Sequence, residues 1–245
     1  MSATRAEVCA AACADLFAND GEILVSPMGT MPLLGARLAR LTCAPDILLS
    51  DGEAYLLADT PALGRSGAIE GWLPYRRVFD IVAGGRRHVV MGANQLDRFG
   101  NQNISCFGPH DLPSRQMFGS RGAPGNTINH RTSYWVPKHS PRVFVGAVDF
   151  ASGVGYDRAV GVSSRFHDVH RVVTNLAVLD FGGPDHAMRL ISTHPGVDVA
   201  EVCDRTGFAL DTSDTSVTRE PTDEELKLLR EVLDPNGLRD REVPA

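Results

Sequence analysis

Hydrophobic positions alternate between helical and strand-like spacing along the first half of the chain. Thr4 and Glu7 predict a capping box, which opens a helix that carries its apolar residues on one face and stops near Gly21. The elements that follow are predicted as strands at 23–26, 47–49 and 88–91 and helices at 31–41 and 75–82. Helices that alternate with short apolar strands predict an α/β fold whose mostly parallel sheet is covered on both faces.

The second half of the chain predicts further elements in a different rhythm. Two long strands are joined by a turn at Gly182-Gly-Pro184, which indicates a hairpin added to the sheet. The remaining elements are predicted as strands near 116–118 and 143–148, the two hairpin strands at 169–181 and 188–194, and helices near 127–135, at 198–205 and at 222–233. The polar segment 211–222 predicts a linker before the last helix, and we expect a single domain over 1–245.

Composition and charge narrow the class of protein. The 245 residues are 43% hydrophobic and 22% charged, which suffices for one large core. The net charge of −6 argues against a nucleic-acid partner, and the arginine pairs at 76–77 and 86–87 are interpreted as solvated charge. Five cysteines without Cys-x-x-Cys spacing indicate reduced thiols. With no stretch approaching about 18 apolar residues, we expect a cytoplasmic protein that does not enter a membrane.

A polar segment directly after a predicted strand is the strongest candidate for a site. A predicted apolar strand ends at Gly92. The stretch MGANQLDRFGNQNISCFG at 91–108 then contains several amides and a carboxylate within a few residues. Buried amides require hydrogen-bond partners, since an unpaired one costs about 1–3 kcal/mol. The candidate binding residues here are Gly92, Asn94, Gln95 and Asp97.

The same segment resembles the G-A-x-Q-x-D-x-x-G-N-x-N signature of the beta subunit of family I CoA-transferases. Later segments are similar to that family as well, namely the strand from Arg171 to Phe181, the His194-Pro-Gly-Val197 motif and the Thr206-Gly-Phe208 motif. The resemblance covers almost the whole chain. It implies a three-layer α/β/α open sandwich and an active site that lies between this subunit and an alpha subunit of similar fold.

One departure from the family pattern bears on the chemistry. The family's nucleophile is a glutamate in a Glu-x-Gly motif after an early strand, and in this chain Ser50-Asp51-Gly52-Glu53 follows that strand. A serine cannot form the acyl anhydride and glutamyl thioester that carry CoA between acids. Asp51 or Glu53 is displaced by one to three residues, and a misplacement of even about 1 Å costs about 100-fold in rate. Ser50, Asp51 and Glu53 are therefore weak catalytic candidates.

A glycine-rich segment, Gly119-Ser-Arg-Gly-Ala-Pro-Gly125, stands where the family has a loop that opens a helix. Backbone amides at a helix start can hold an oxyanion such as a thioester enolate. The candidate residues are Gly122, Gly125, Asn126 and Thr127. His167 and His170 have spacing compatible with a metal but no further ligands nearby, so no metal site is predicted.

The chain lacks the glutamate and contains Pro124–His130 and Gly182-Gly-Pro-Asp-His186. In these features it is most similar to one branch of the family, the ring-cleaving hydrolases of steroid degradation. That resemblance implies hydrolytic C–C opening of the last steroid-derived carbocycle of a cyclic 6-oxocyclohexene-carboxyl-CoA. It further implies an α2β2 complex, a general base on the alpha subunit, and no cofactor beyond the CoA of the substrate. Two alternatives stay open, namely an ordinary CoA-transferase subunit and a non-catalytic scaffold subunit.

Overall fold

A mixed sheet forms the centre of the molecule. The computed structural model describes residues 2–51, 54–161 and 165–244. The strands, in chain order, are β1 (Leu24–Pro27), β2 (Leu48–Ser50), β3 (Tyr55–Leu57), β4 (Ile69–Trp72), β5 (Arg87–Gly92), β6 (Gln95–Leu96), β7 (Gln102–Asn103), β8 (Cys106–Phe107), β9 (Arg115–Gln116), β10 (Arg131–Val136), β11 (Asp168–Thr174), β12 (Ala177–Asp180), β13 (Arg189–Thr193) and β14 (Ser216–Val217).

Ten of these strands pair in the order β14-β13-β12-β11-β10-β5-β1-β2-β3-β4 across the described residues. The five central strands, from β11 to β2, are parallel, and antiparallel strands extend the sheet on both sides. β5 and β10 are almost entirely buried because they lie between other strands and are covered by helices or loops on both faces of the sheet. Two small hairpins, β6 with β7 and β8 with β9, lie between β5 and α4.

Most helices begin close to the predicted positions, but the first helix ends at Asp15, before the stop expected near Gly21. They are α1 (Arg5–Asp15), α2 (Thr30–Leu41), α3 (Tyr75–Gly84), α4 (Ala123–Asn129), α5 (Val199–Asp204), α6 (Asp223–Lys227) and α7 (Arg239–Glu242), with a 3-10 turn at Pro184–His186 and a π-helical segment at Leu228–Leu233. Both predicted capping boxes are present, at Thr4 with Glu7 and at Thr222 with Glu225. Among the residues described, no helix combines the length and the apolar character needed to cross a bilayer.

The two faces of the sheet carry separate hydrophobic clusters. On the first face, α1, α2 and the C-terminal helices pack through residues such as Phe17, Leu34 and Leu229. On the second face, α4, α5 and long loops pack around Tyr134 and Phe144. This arrangement is the predicted α/β/α sandwich, and it places the polar segment after β5 on the second face.

Three predicted elements differ from the structure. The helix expected near 127–135 is wrong, because α4 ends at Asn129 and β10 begins at Arg131, where it inserts between β5 and β11. The apolar run 143–148 forms no strand and contributes only a single bridge, from Phe144 to Leu96. The long strand 169–181 is two antiparallel strands, β11 and β12, that turn back at Asn175 and Leu176.

The predicted linker at 211–222 is also partly structured. It contains β14, which pairs in parallel with β13 at the edge of the sheet. The hydroxyl of Thr218, just after β14, lies 2.7 Å from that of Ser192 on β13. The segment therefore extends the sheet as well as joining two helices.

Candidate active site at the carboxyl ends of the central strands

Four neighbouring parallel strands end at the same edge of the sheet and open onto one cavity. Pro27 ends β1, Asp51 follows β2, Gly92 ends β5 and Pro137 follows β10, and all four residues line a cavity of about 960 Å³. β2 lies on one side of β1 and β5 lies on the other. The connections from these strands therefore run to opposite sides of β1, which leaves a crevice between them. In open α/β sheets such a crevice is the usual ligand site, and this volume suits a small organic ligand.

Residues from the second face close the cavity above the sheet. They come from the loops between β5 and α4 and from the start of α4, and they include Asn94, Gln102, Met117, Phe118, Gly122 and Asn126. Phe118 is 93% exposed, so an aromatic ring stands at the edge of the cavity with little protein around it. Arg115 and Arg121 line the cavity as exposed cations.

Arg87 places a positive charge on the sheet side of the cavity. It begins β5, shares a face with Val89 and Met91, and is 6% exposed. Its guanidinium donates to the hydroxyl of Ser26 at 3.2 Å and to the side-chain oxygen of Asn126. Burial lowers the pKa of Arg87 to about 10, which still leaves the group charged at neutral pH.

Ser50 and Asp51 are held by the sheet and the hairpin that follows it. The Ser50 hydroxyl is buried and donates to the carbonyl oxygen of Val25 at 2.8 Å. A carbonyl oxygen is no general base, so this contact does not activate the serine. Asp51 lines the cavity, and its Oδ1 accepts from the backbone N–H groups of Ala54 and Tyr55. Glu53 lies outside the described residues.

Part of the amide-rich segment forms its own hydrogen-bond network. Gln95 donates to Asp149 at 3.1 Å and accepts from Asn103 at 2.7 Å. Asp97 accepts from Phe99 and from both the backbone and the side chain of Asn101, and burial raises its pKa against these bonds. Neither Gln95 nor Asp97 lines the cavity. Both side chains shape the loop.

Other residues of the segment line the cavity. Asn94 lines the cavity and is exposed. Its backbone N–H donates to the carbonyl of Asn103, and this bond fixes the loop. The side chain of Asn94 makes no hydrogen bond within the described residues. Gln102 donates to the carbonyl of Gly92 at 2.6 Å, and its own Oε1 is buried without a donor in the described part of the chain. Gly92, Asn94 and Gln102 are thus the glycine and polar residues of this segment that line the cavity, beside the apolar Met91, Ala93 and Ile104.

The glycine-rich segment divides in the same way. Gly122 and Asn126 line the cavity, whereas Gly125 and Thr127 do not. The Thr127 hydroxyl donates into its own helix and accepts from the backbone of Val154.

The start of α4 offers few free donors. Ala123 donates its N–H to Ser120 and Pro124 has none, so the expected oxyanion site at this helix start is poorly supplied. Arg121, just before α4, has a left-handed backbone with φ of 50°, which a non-glycine residue adopts only when its surroundings enforce it.

Two residues with titratable side chains, Arg87 and His130, are buried on the second face. The interpretation as solvated charge is wrong for Arg87 and correct for its neighbour Arg86, which is exposed. The strand alternation carried the signal, since Arg87 shares the inward face with Val89 and Met91. His130 is buried with neither ring nitrogen bonded within the described residues, and burial together with the charge of Arg87 lowers its pKa to about 4.

Comparison with known proteins gives close relatives over the full length of the chain. The "Cholesterol ring-cleaving hydrolase IpdB subunit" of Rhodococcus jostii RHA1 is 65% identical over 243 residues, which cover 98% of this chain and 96% of that protein. The crystal structure of R. jostii RHA1 IpdAB contains a chain that is 64% identical, with a TM-score of 0.97 and full coverage of both chains. No protein-family model matches the sequence.

A more distant relative shares the fold. One subunit of the glutaconate CoA-transferase of Acidaminococcus fermentans is 28% identical over 237 residues, which cover 89% of this chain and 88% of that relative. The crystal structure of that transferase superposes with a TM-score of 0.83 and covers 97% of both chains. The fold is therefore the CoA-transferase fold, and at 65% identity over nearly its whole length the chain belongs to the family of IpdB subunits of cholesterol ring-cleaving hydrolases.

Proposed function

We propose that this chain is the beta subunit of a hydrolase that opens the last steroid-derived carbocycle of a cyclic 6-oxocyclohexene-carboxyl-CoA. Water adds to the ring ketone that lies beta to the thioester. The bond between that carbon and the alpha carbon then breaks, and its electron pair is held as a thioester enolate until the carbon is protonated. The products are a new carboxylate and an intact CoA thioester. One water is consumed, and no oxidant or reductant is needed.

The observation that carries this proposal is Ser50, together with the relationship to the ring-cleaving hydrolase subunits. A transferase needs a carboxylate nucleophile at this position, and here a hydroxyl donates to the Val25 carbonyl. Direct attack by water requires no acyl-enzyme on this subunit. It does require a general base, which we assign to a glutamate of the alpha subunit.

The assembly follows from the same reasoning. The cavity is open at Phe118, and we assign the base to the alpha subunit, which completes the active site. The α2β2 stoichiometry is the one that the family resemblance implies. The complex works in the cytoplasm and takes no cofactor besides the CoA of its substrate. Gly92, Asn94, Gly122 and Asn126 contact the acyl-CoA from this chain.

The test compares two reactions of the purified complex. With a cyclic beta-keto acyl-CoA, mass spectrometry is expected to show a product heavier by one water that still carries CoA. With an acyl-CoA and a free acid acceptor, we expect no exchange of CoA and no thioester that borohydride can trap. Ser50→Ala is expected to stay within a few fold of the wild-type rate. A covalent CoA adduct at Asp51 or Glu53 would instead identify a transferase.

A further inference from the structure

One carboxylate of the last helix supports the wall of the cavity from behind. Glu242 of α7 accepts the indole N–H of Trp135 with its Oε1 at 2.8 Å and the backbone N–H of Met31 with its Oε2 at 3.0 Å. Trp135 of β10 lines the cavity, and Met31 lies in the first turn of α2, two residues after the cavity-lining Gly29. Glu242 therefore joins two separate parts of the wall, and it does not line the cavity itself.

Both parts of the wall depend on this carboxylate. Gly29 precedes α2 without a side chain that could cap the helix, no acidic residue stands in the first turn, and Pro32 has no N–H. A carboxylate at a helix start satisfies a free N–H and interacts favourably with the helix dipole. Trp135 is buried, and its indole N–H would be left without this acceptor at a cost to stability.

The position of α7 is fixed by contacts that do not involve Glu242. Arg239 is buried and donates to the carboxylates of Asp234 at 2.9 Å and of Glu7 at 3.1 Å. Asp234 also accepts the backbone N–H of Arg239 at 3.0 Å, and Val243 packs in the hydrophobic cluster of the first face. The helix is thus a fixed support. Loss of the Glu242 carboxylate would release the wall and leave α7 in place.

The wall that Glu242 supports is apolar, whereas the exposed side of the cavity carries charge. The apolar side chains of the wall include Pro27, Leu33, Trp135 and Pro137. Arg115 and Arg121 line the cavity as exposed cations. A hydrocarbon ring gains by leaving water for an apolar wall, while phosphates keep their hydration beside exposed arginines. In an acyl-CoA, the acyl ring is therefore the part whose binding depends on the wall.

From this arrangement we infer that Glu242 is a positioning residue of the active site, which holds the Trp135 indole and the start of α2 together as one wall for the acyl ring of the substrate. The inference rests on the proposed function in taking the ligand to be a cyclic acyl-CoA. It gives the C-terminal helix a part in ligand binding, although none of its described residues lines the cavity. The effect reaches the ligand because even about 1 Å of misplacement costs about 100-fold in rate.

The first test measures binding to the purified αβ complex by calorimetry. One probe is cyclohexanecarboxyl-CoA, which lacks the ring ketone and cannot undergo the proposed cleavage. The other is free CoA, which has no acyl ring. Glu242→Ala is expected to weaken binding of cyclohexanecarboxyl-CoA on the order of 10-fold and to leave binding of CoA within about 2-fold of wild type. A residue that only stabilises the fold would change both affinities or neither.

The second test follows the indole directly. The chain contains two tryptophans, Trp72 and Trp135. The complex is produced with 5-fluorotryptophan, and the ¹⁹F resonance of Trp135 is the one that Trp135→Phe removes. Glu242→Gln presents an oxygen to only one of the two donors, so it is expected to shift this resonance and to lose less affinity for cyclohexanecarboxyl-CoA than Glu242→Ala. The resonance of the exposed Trp72 is expected to stay unchanged.

The matched control lies on the same helix. Asp240→Asn removes an exposed carboxylate of α7 and is expected to match wild type in both affinities and in the Trp135 resonance. Thermal unfolding of each complex checks the fold, and Glu242→Gln serves if Glu242→Ala fails to assemble.

Several outcomes would overturn the inference. Equal losses of affinity for the two probes would show that Glu242 supports the fold as a whole, and so would failure of both Glu242 variants to assemble. A Trp135 resonance that stays unmoved in both variants would show that the indole is held by other contacts. Unchanged binding of cyclohexanecarboxyl-CoA, or a wild-type complex that binds it no more tightly than CoA, would show that this wall holds no acyl ring. Failure of ring opening in a separate assay with the ketone substrate would count against the proposed reaction and leave these results unchanged.

Discussion

Asn94 and Asp97 lie three residues apart in one loop and have different tasks. Asn94 is exposed in the cavity, whereas Asp97 is buried and accepts three hydrogen bonds that shape the turn. Removal of a buried acceptor leaves its donors unpaired, which costs stability. Removal of an exposed ligand contact costs binding or rate while the fold stays intact.

We therefore predict a separation between the two alanine variants. Asn94→Ala is expected to lower kcat/KM about 10-fold, equal to about 1.4 kcal/mol, without a change in Tm. Asp97→Ala is expected to lower the free energy of unfolding by about 2–4 kcal/mol. The control is Arg76→Ala, at an exposed position. Steady-state kinetics and thermal unfolding of the complex check this, and identical effects of Asn94→Ala and Asp97→Ala would show that the cavity is misassigned.

Some of the residues that line the cavity could be predicted from the sequence, and others could not. Gly92, Asn94, Gly122 and Asn126 were predicted and line the cavity, because a polar or glycine residue that directly follows a strand or opens a helix lies at the edge of the sheet. Gln95, Asp97 and Thr127 share the same segments and point elsewhere. Which side chain of a loop turns inward depends on contacts with distant residues such as Asp149 and Val154, and these are not local in sequence.

Other residues that resemble the family's motifs have a structural role. The side chain of His194 joins two strands, with Nε2 donating to the Thr174 carbonyl at 2.9 Å and Nδ1 lying 3.0 Å from the Thr218 hydroxyl. Gly207 lets the chain pass close to Phe144, since a Cβ at this position would lie 2.5 Å from the Phe144 carbonyl oxygen. Such residues belong to the fold and not to the chemistry.

At the scale of elements, one carboxylate ties the first helix to the last two helical segments. Glu7 of α1 accepts from Arg230 of the π-helical segment at 2.7 and 2.8 Å and from Arg239 of α7 at 3.1 Å. Burial alone would raise the pKa of Glu7. The hydrogen bonds from Arg230 and Thr4 and the charges of Arg230 and Arg239 outweigh it, so the pKa falls to about 2.

Because of this lowered pKa, the free energy of unfolding depends on pH in the acid range. The folded pKa lies below the ordinary value of 4.5, so the contribution of Glu7 is complete above pH 4.5 and is lost as the pH falls towards 2. Glu7→Gln is expected to destabilise the protein by about 3 kcal/mol at pH 7, and the difference from wild type is expected to shrink below pH 4.5. Urea unfolding across this range measures it, with exposed Glu22→Gln as control. A difference that does not vary with pH would contradict the assignment.

Elements were predictable where the pattern is local. The capping boxes, the short apolar strands and the turn at Gly182 each lie within a few residues, and the structure confirms them. The helix predicted near 127–135 includes residues 131–135, although their aromatic and β-branched side chains favour a strand. Their strand conformation is fixed by pairing with β5 and β11, and those partners lie more than thirty residues away in the chain.

For the whole molecule, the exposed aromatic residue at the cavity indicates a surface that another subunit covers. Phe118 is 93% exposed and lines the cavity, and a large exposed apolar side chain beside a site marks an interaction surface. We predict that Phe118→Asp weakens the αβ complex about 10-fold or more, since burying an unpaired charge is costly. Light scattering on a size-exclusion column measures the assembly.

The control for this prediction lies at the far edge of the sheet. Val217 on β14 is 68% exposed, and Val217→Asp is expected to leave assembly unchanged. The wild-type chains are expected to elute with the mass of two alpha and two beta subunits. A lone beta chain that is stable and fully active would contradict the requirement for a partner.

The most direct test of the central claim is a single turnover of the complex in ¹⁸O-labelled water with a cyclic beta-keto acyl-CoA. If water attacks the ring ketone, the first turnover places solvent oxygen in the new carboxylate, and the thioester to CoA survives in the product. Mass spectrometry of the product and of its CoA-containing fragment separates the two positions. A first-turnover product without the label in its new carboxylate, or CoA recovered on an added acid acceptor, would contradict hydrolytic ring opening and favour transfer through a covalent enzyme intermediate.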